Sequence, residues 1–226
     1  MFKNREEAGR ILSKKLVKYR RDKNATVLSI PRGGIVVGKE LAKNLILPHS
    51  HIVVKKLSAP NNSELAIGAL APSGVKVIDW ELALRIGVDQ EYLDEEIKRK
   101  SREVEEREKE FKIQLFNKAQ GKNAKVKIKD KKIIILVDDG VATGSTILAA
   151  LKYIKNIKLT ANDQKLKTIL AVPVIAQDTY NKLKSEVNEI VALEIPDSFS
   201  AVGQFYEEFP QVTDEEVLEI ITNKYQ

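Results

Sequence analysis

Asp138 and Asp139 stand side by side after the apolar run Ile134–Val137 and before the turn Gly140-Val141-Ala142-Thr143-Gly144-Ser145-Thr146. Adjacent carboxylates can accept hydrogen bonds from two vicinal hydroxyls. A Gly/Thr/Ser turn that opens a helix offers an anion its unpaired N–H groups, with the hydroxyls of Thr143, Ser145 and Thr146 as further donors and Gly144 allowing close approach. The combination suits a sugar phosphate, whereas the plain alternative is an ordinary strand-to-helix turn with an acidic cap. No lysine follows Gly144, so this is not a Walker A loop.

A second anion cradle reads from Ser29-Ile30-Pro31-Arg32-Gly33-Gly34, where a strand ends in a rigid proline, a cation and two glycines before a helix begins. Paired glycines can turn their N–H groups inward, and a helix amino end adds partial positive charge. Pyrophosphate fits such a cradle. Lys55 and Lys56 read as the end of an apolar strand and suit the same oxygens, although charged strand ends also serve as solubilising edges. Lys56 is the stronger candidate of the two.

These residues need a scaffold that brings strand ends together. Helical patterns alternate with short β-branched runs, as in parallel βαβ units and a doubly wound sheet. The periodicities predict helix 5–22, strand 26–30, helix 34–46, strand 51–56 beginning at His51, and a hairpin 66–79 turned by Pro72, Ser73 and Gly74. They continue with a long helix 89–116 capped by Asp89, strand 133–138, helix 145–156, strand 168–174, helix 177–185, strand 189–195 and a closing helix from 214. The run Ile133–Val137 is continuously apolar, as expected of a strand buried on both faces. The chain of 226 residues is expected to form one α/β domain.

From Ile134 to Thr146 the sequence resembles the 5-phosphoribosyl-1-pyrophosphate (PRPP) motif of type I phosphoribosyltransferases, departing at Gly140, where an aliphatic residue is commoner. The C-terminal stretch from Pro196 resembles phosphoribosyltransferase-like proteins, so the likeness spans most of the chain and is weakest from 80 to 130. It implies the type I phosphoribosyltransferase fold: a doubly wound, mainly parallel sheet flanked by helices, with a small hood and a long helical insertion at 80–125. It implies that Asp138 and Asp139 bind the ribose 2- and 3-hydroxyls, and that Val141, Ala142, Thr143, Gly144, Ser145 and Thr146 cradle the 5-phosphate. Arg32, Gly33, Gly34, Lys55 and Lys56 would meet pyrophosphate, with the Arg32–Gly33 bond as candidate for a non-proline cis peptide, and Leu57–Leu70 resembles a mobile closing loop. Glu64 on that run reads as solvated. Mg2+ is the implied cofactor, touched by Asp138 and Asp139 directly or through water. The implied activity is transfer of ribose 5-phosphate from PRPP to a nucleobase or related acceptor. Ala142 replaces the acidic residue usual in hypoxanthine-guanine enzymes, which disfavours a 6-oxopurine. The alternative is a PRPP- or nucleotide-sensing regulator of the same fold without turnover.

Composition narrows the remaining classes. Hydrophobic residues make up 43% and charged residues 31%, and no apolar run approaches a membrane span, so no membrane role is expected. The N-terminal segment reads as an amphipathic helix without a secretion-signal core, which places the protein in the cytoplasm. Absence of cysteine excludes disulfides and thiolate chemistry, and the only histidines, His49 and His51, offer little for a zinc cluster. The net charge of +6 is spread without an aromatic-interleaved stripe, so nucleic acid is not expected as a partner. The long helix carries a thin apolar stripe at Leu93, Ile97, Val104, Phe111 and Leu115, which suits a solvated helix lying on the core or a homodimer contact. The segment 195–213, the candidate hood, holds Phe199, Val202, Phe205, Tyr206 and Phe209, which could stack on an acceptor ring or plug the core under a long loop.

Overall fold

A computed structural model describes residues 1–111, 131–156 and 166–222. Its described residues form two compact units, one of 1–51, 131–143 and 166–222 and the other of 52–111 and 144–156.

The first unit is an α/β layer. Five strands, β1 (Ala25–Ser29), β2 (His49–His51), β6 (Ile133–Val137), β7 (Lys167–Val174) and β8 (Glu189–Glu194), pair in the order β2-β1-β6-β7-β8, every pair parallel. Residues Ile134–Val137 are wholly buried, as their unbroken apolar run requires. Alternate residues point to one face, where Val27, Ile135, Val137, Ile169 and Ala171 pack with Leu12, Leu16, Val37, Leu41 and Leu45. Those last five lie on α1 (Arg5–Lys15) and α2 (Gly33–Leu45) or just beyond. Asn4 caps α1 by accepting the Glu7 N–H at 3.0 Å, with Glu6 and Glu7 in the first turn and Lys14 and Lys15 in the last, matching the dipole. The helix ends at Lys15 rather than at 22. The chain tightens into a 3-10 turn at Val17–Tyr19 and passes through a positive φ at Arg21. There the Tyr19 hydroxyl donates to Glu189 (2.9 Å) and accepts from Lys167 (2.7 Å) at the amino edge of the sheet. Helices α6 (Gln177–Leu183) and α7 (Asp214–Thr222) complete the unit.

The second unit holds a three-stranded antiparallel sheet of β3 (Lys55–Ala59), β4 (Asn62–Leu70) and β5 (Lys76–Ile78), with α3 (Trp80–Arg85), α4 (Gln90–Glu110) and α5 (Ser145–Asn156). The hairpin expected at 66–79 is β4–β5, turned at Pro72–Gly74. The expected strand 51–56 is replaced by two short strands of different sheets: His51 ends β2, Ile52–Val54 run buried but outside any strand, and Lys55 begins β3. An apolar β-branched run signals burial, and here burial comes without a ladder. Asp89 caps α4 as expected, accepting the Tyr92 N–H at 2.7 Å. Leu93, Val104 and Phe111 of its stripe are buried, whereas the helix's expected continuation to 116, including Leu115, lies outside the described residues. No helix among the described residues is long and apolar enough to cross a membrane.

Both histidines sit on β2, and the Nε2 of His49 lies 2.7 Å from Ser29 Oγ. Burial pushes His49 down to about 3, helped by the charges of His51 and Lys39, and burial pushes His51 down to about 4. The unfolded chain takes up these protons near its ordinary histidine value of about 6.5 while the fold does not. Stability is therefore complete above that value and drains away as the pH falls through it towards 4 and 3. His49→Gln, which keeps a hydrogen-bonding group but cannot titrate, is expected to flatten the loss between about pH 6.5 and about pH 4.5 by about 2 kcal/mol. Urea midpoints across that range provide the check, and parallel acid limbs for the two proteins would show that His49 already titrates freely in the fold.

Candidate functional site

Strands β1 and β6 are in register, Ser29 beside Val137, so the segments that follow them leave the same carboxyl edge of the sheet as neighbours. One is Ile30–Gly34 and the other is Asp138–Gly140. They meet at van der Waals limits: a Cβ on Gly34 would lie 2.8 Å from Asp138 Cα and Oδ1, and one on Gly33 would lie 1.8 Å from Asp139 Oδ2. Backbone excludes a Cβ at Gly34, while one at Gly33 would have to displace the Asp139 carboxylate, and this fit sets the first turn of α2 against both carboxylates, where the helix dipole favours negative charge. Asp138 Oδ1 also accepts the Asp139 N–H at 2.9 Å. Arg32 is the N-cap residue of α2, half-buried, and its side chain does not cap the helix. The cis peptide falls at Pro31–Arg32, not at the expected Arg32–Gly33 bond. Arg32 already contributes its carbonyl to the first turn of α2, accepting the Ile35 N–H at 3.1 Å.

Three further residues attach to this edge, of which the sequence singled out only Tyr206, as a candidate for stacking on an acceptor ring. Arg5, buried on α1, donates through Nε to Asp139 Oδ2 at 2.8 Å and through NH1 to the Pro210 carbonyl at 2.7 Å, and its guanidinium lies 3.7 Å from the centre of the Phe209 ring. The Tyr206 hydroxyl donates to the Asp139 carbonyl at 2.6 Å. Burial, and secondarily the Asp139 charge, raises the Tyr206 phenol well above its ordinary range. Thr179 on α6 donates to the Ala142 carbonyl. Arg5 was discoverable, because the buried positions of α1 are Arg5, Ala8, Gly9, Leu12 and Ser13. A cation in the apolar stripe of an amphipathic helix needs a partner.

The aromatic segment around 195–213 settles into the core. Tyr206 stacks on Phe209 at 4.8 Å, Phe2 and Tyr206 lie 5.4 Å apart, as do Phe199 and Phe205, and Phe205 and Tyr206 are buried. Phe205 and Tyr206 pack with Phe2, Ala8 and Val174, and the partly buried Phe199, Val202 and Phe209 lie against that cluster.

In the turn that follows β6, Val141 donates its N–H to the Val174 carbonyl (2.9 Å) and accepts from Ala176 (3.0 Å), anchoring the turn to the end of β7. Ala142 and Thr143 are exposed. In the second unit Gly144 takes φ 79° and Ser145 and Thr146 open α5. That unit also holds the two lysines, which begin a strand instead of ending one. Successive side chains alternate across β3, and the lysines part accordingly. Lys55 is half-buried and pairs with Glu103 of α4 at 3.2 Å, while Lys56 is exposed. Burial, followed by the Arg107 charge, lowers Lys55 despite that pairing. Most of Leu57–Leu70, expected as a closing loop, is the hairpin β3–β4, braced by the buried Glu96, which accepts the Ser58 N–H at 3.1 Å.

Residues 2–209 match the family model described as the phosphoribosyl transferase domain. A Mycobacterium tuberculosis protein, provisionally named as a phosphoribosyl transferase, is 33% identical over 96% of this chain, which spans only 46% of that relative's length. The crystal structure of TT1426 from Thermus thermophilus is similar at 34% identity and a TM-score of 0.70, with 97% of each chain covered.

The departure at Gly140 has a packing reason. A Cβ there would lie 2.4 Å from Val202 Cγ1 and 3.0 Å from Val174 Cγ1, so the space of a motif aliphatic is already filled by Val202, reaching in from the 3-10 turn Val202–Phe205. Gly140→Ala is expected to cost about 1–3 kcal/mol by overpacking, and Val202→Ala in the same chain to recover part of it. Denaturant titration of the two single variants and the pair measures the coupling, and strict additivity would contradict the close packing.

Proposed function

The chain belongs to the phosphoribosyl transferase domain family, and from that premise we propose that it transfers ribose 5-phosphate from PRPP to a nitrogenous base or related heterocycle, releasing pyrophosphate. The observation that carries this reading is the closure of the Arg32-Gly33-Gly34 turn against Asp138 and Asp139 on one carboxyl edge. A cationic, N–H-rich turn and a pair of acids side by side match a donor that carries pyrophosphate and a vicinal diol on adjacent carbons.

In this reaction the acceptor nitrogen's lone pair forms a bond to ribose C1 as the bond from C1 to the pyrophosphate oxygen breaks. Positive charge gathers on the ring and negative charge on the leaving group. Asp138 and Asp139 are assigned to the ribose hydroxyls, the charge of Asp138 favouring the cationic ring while Asp139, paired with Arg5, chiefly fixes the sugar in place. Arg32 and the amino end of α2 are assigned to the departing pyrophosphate. Arg32 suits that task, since its guanidinium enters no ion pair among the described residues. Of the lysines, exposed Lys56 is the better phosphate ligand, because Lys55 already holds Glu103. Val141, Ala142 and Thr143, with Gly144, Ser145 and Thr146, are assigned to the 5-phosphate. The carboxylates offer the hard oxygens Mg2+ prefers, and the engagement of Asp139 Oδ2 by Arg5 favours contact through water. A Mg2+ ion held there would supply charge neutralisation at the pyrophosphate oxygens. Exposed Ala142 presents no acid to a purine ring, so acceptors other than 6-oxopurines are favoured.

Calorimetric titration of Mg-PRPP tests the assignment, with Asp138→Asn as the cleaner variant, since altering Asp139 also disturbs a buried ion pair. Wild type is expected to bind and Asp138→Asn to lose roughly a hundredfold in affinity with little change in its unfolding midpoint. Pyrophosphate release across a panel of bases then identifies the acceptor. Binding without release from any base would favour a PRPP sensor, and no binding by the wild type would overturn both readings.

A further inference from the structure

We infer that Arg5 is a positioning residue for the acid pair: it holds the Asp139 carboxylate in its binding orientation and cancels its charge, leaving the site able to admit a polyanionic phosphosugar. This rests on the PRPP reading above. Two adjacent carboxylates would repel the phosphates of their own ligand, and a carboxylate that must meet a hydroxyl has to be fixed in rotation. Arg5 meets both requirements from α1. Its fork spans Asp139 Oδ2 at 2.8 Å and the Pro210 carbonyl at 2.7 Å, and its flat face lies 3.7 Å from the Phe209 ring centre. Three directions are therefore set, and the guanidinium has little freedom to let go. Its side chain is 8% exposed and that of Asp139 is 16% exposed, so the pair is only weakly screened.

The glycine turn is built around the same contact. A Cβ on Gly33 would come within 1.8 Å of Asp139 Oδ2 and 2.9 Å of Arg5 Nε, so Gly33 leaves room for the ion pair as well as for the helix approach. The main chain of Asp139 is held separately by the Tyr206 hydroxyl at 2.6 Å. One residue of the pair is thus clamped at side chain and carbonyl, and Arg5 is the member of the clamp that carries charge.

The test is a double-mutant cycle read by Mg-PRPP titration to millimolar concentrations, on wild type, Arg5→Met, Asp139→Asn and the double variant, with unfolding midpoints showing that each is folded. Arg5→Met is expected to raise the PRPP Kd roughly ten- to hundredfold in the wild-type background and by less than about twofold beside Asp139→Asn. Arg5→Lys keeps the charge but not the fork, and is expected to remain roughly fivefold or more weaker than wild type. An equal loss from Arg5→Met in both backgrounds would overturn the inference, as would a wild-type Kd in either single Arg5 variant. A wild type that binds no PRPP would remove the functional reading itself, whereas a binding wild type with an additive cycle would remove the role of Arg5 alone.

Discussion

At the sheet's carboxyl edge a glycine turn is pressed against two carboxylates, Gly33 on the side chain of Asp139 and Gly34 on the backbone and side chain of Asp138, and the rest of the first unit is arranged to make that approach tolerable. In-register pairing of β1 with β6 delivers Gly33 and Gly34 against Asp138 and Asp139 with no room for a single added carbon. Pressing two carboxylates together at a partly buried edge is electrostatically unfavourable unless something opposes their charge. The opposition comes from the dipole of α2, from the Asp139 N–H and from Arg5. Arg5 is itself a buried cation, so it in turn needs the Pro210 carbonyl and the Phe209 ring. The chain of dependence runs from strand register to glycine, from glycine to carboxylate, and from carboxylate to the aromatic segment.

The second unit shows the same logic with the signs reversed. Lys55 loses water at the start of β3 and is met by Glu103, while Arg99 and Lys100 share that carboxylate along α4. Glu96, buried on the same helix, gives one oxygen to the Ser58 N–H and the other to Arg99. The charged face of α4 is therefore partly a support for the strand that carries the lysines.

The sequence made visible what depends on local pattern. The buried strand Ile133–Val137, the cap at Asp89, the hairpin over 66–79 and the two glycine-bearing turns all declare themselves through periodicity or backbone-permissive residues. Less visible were features fixed by distant partners. Ile52–Val54 look like strand because they are apolar and β-branched, yet their burial is not accompanied by pairing, and hydropathy cannot tell the two apart. Sequence favours Lys56 over Lys55, but the physical reason, the alternation of β3 that sends them to different surroundings, is visible only in the fold. Arg5 stands out as a cation in the apolar stripe of α1, but what it meets there is hidden, because its partners lie 134 and 205 residues away. Gly140 departs from the motif for a reason the sequence does not show: the space of the missing side chain is filled by Val202.

Those separations bear on the order in which the site is assembled during synthesis. Phe2 bridges to Tyr206, and Arg5 reaches Pro210, so the amino-terminal helix waits for residues translated long after it. Until that segment leaves the ribosome, the strands β1 and β6 can already pair, but the carboxylate of Asp139 lacks half of its clamp and Arg5 has no ring to lie on. The acid pair is thus among the last parts of the first unit to be completed, and a nascent chain carries an unfinished site until residues 206–210 have emerged.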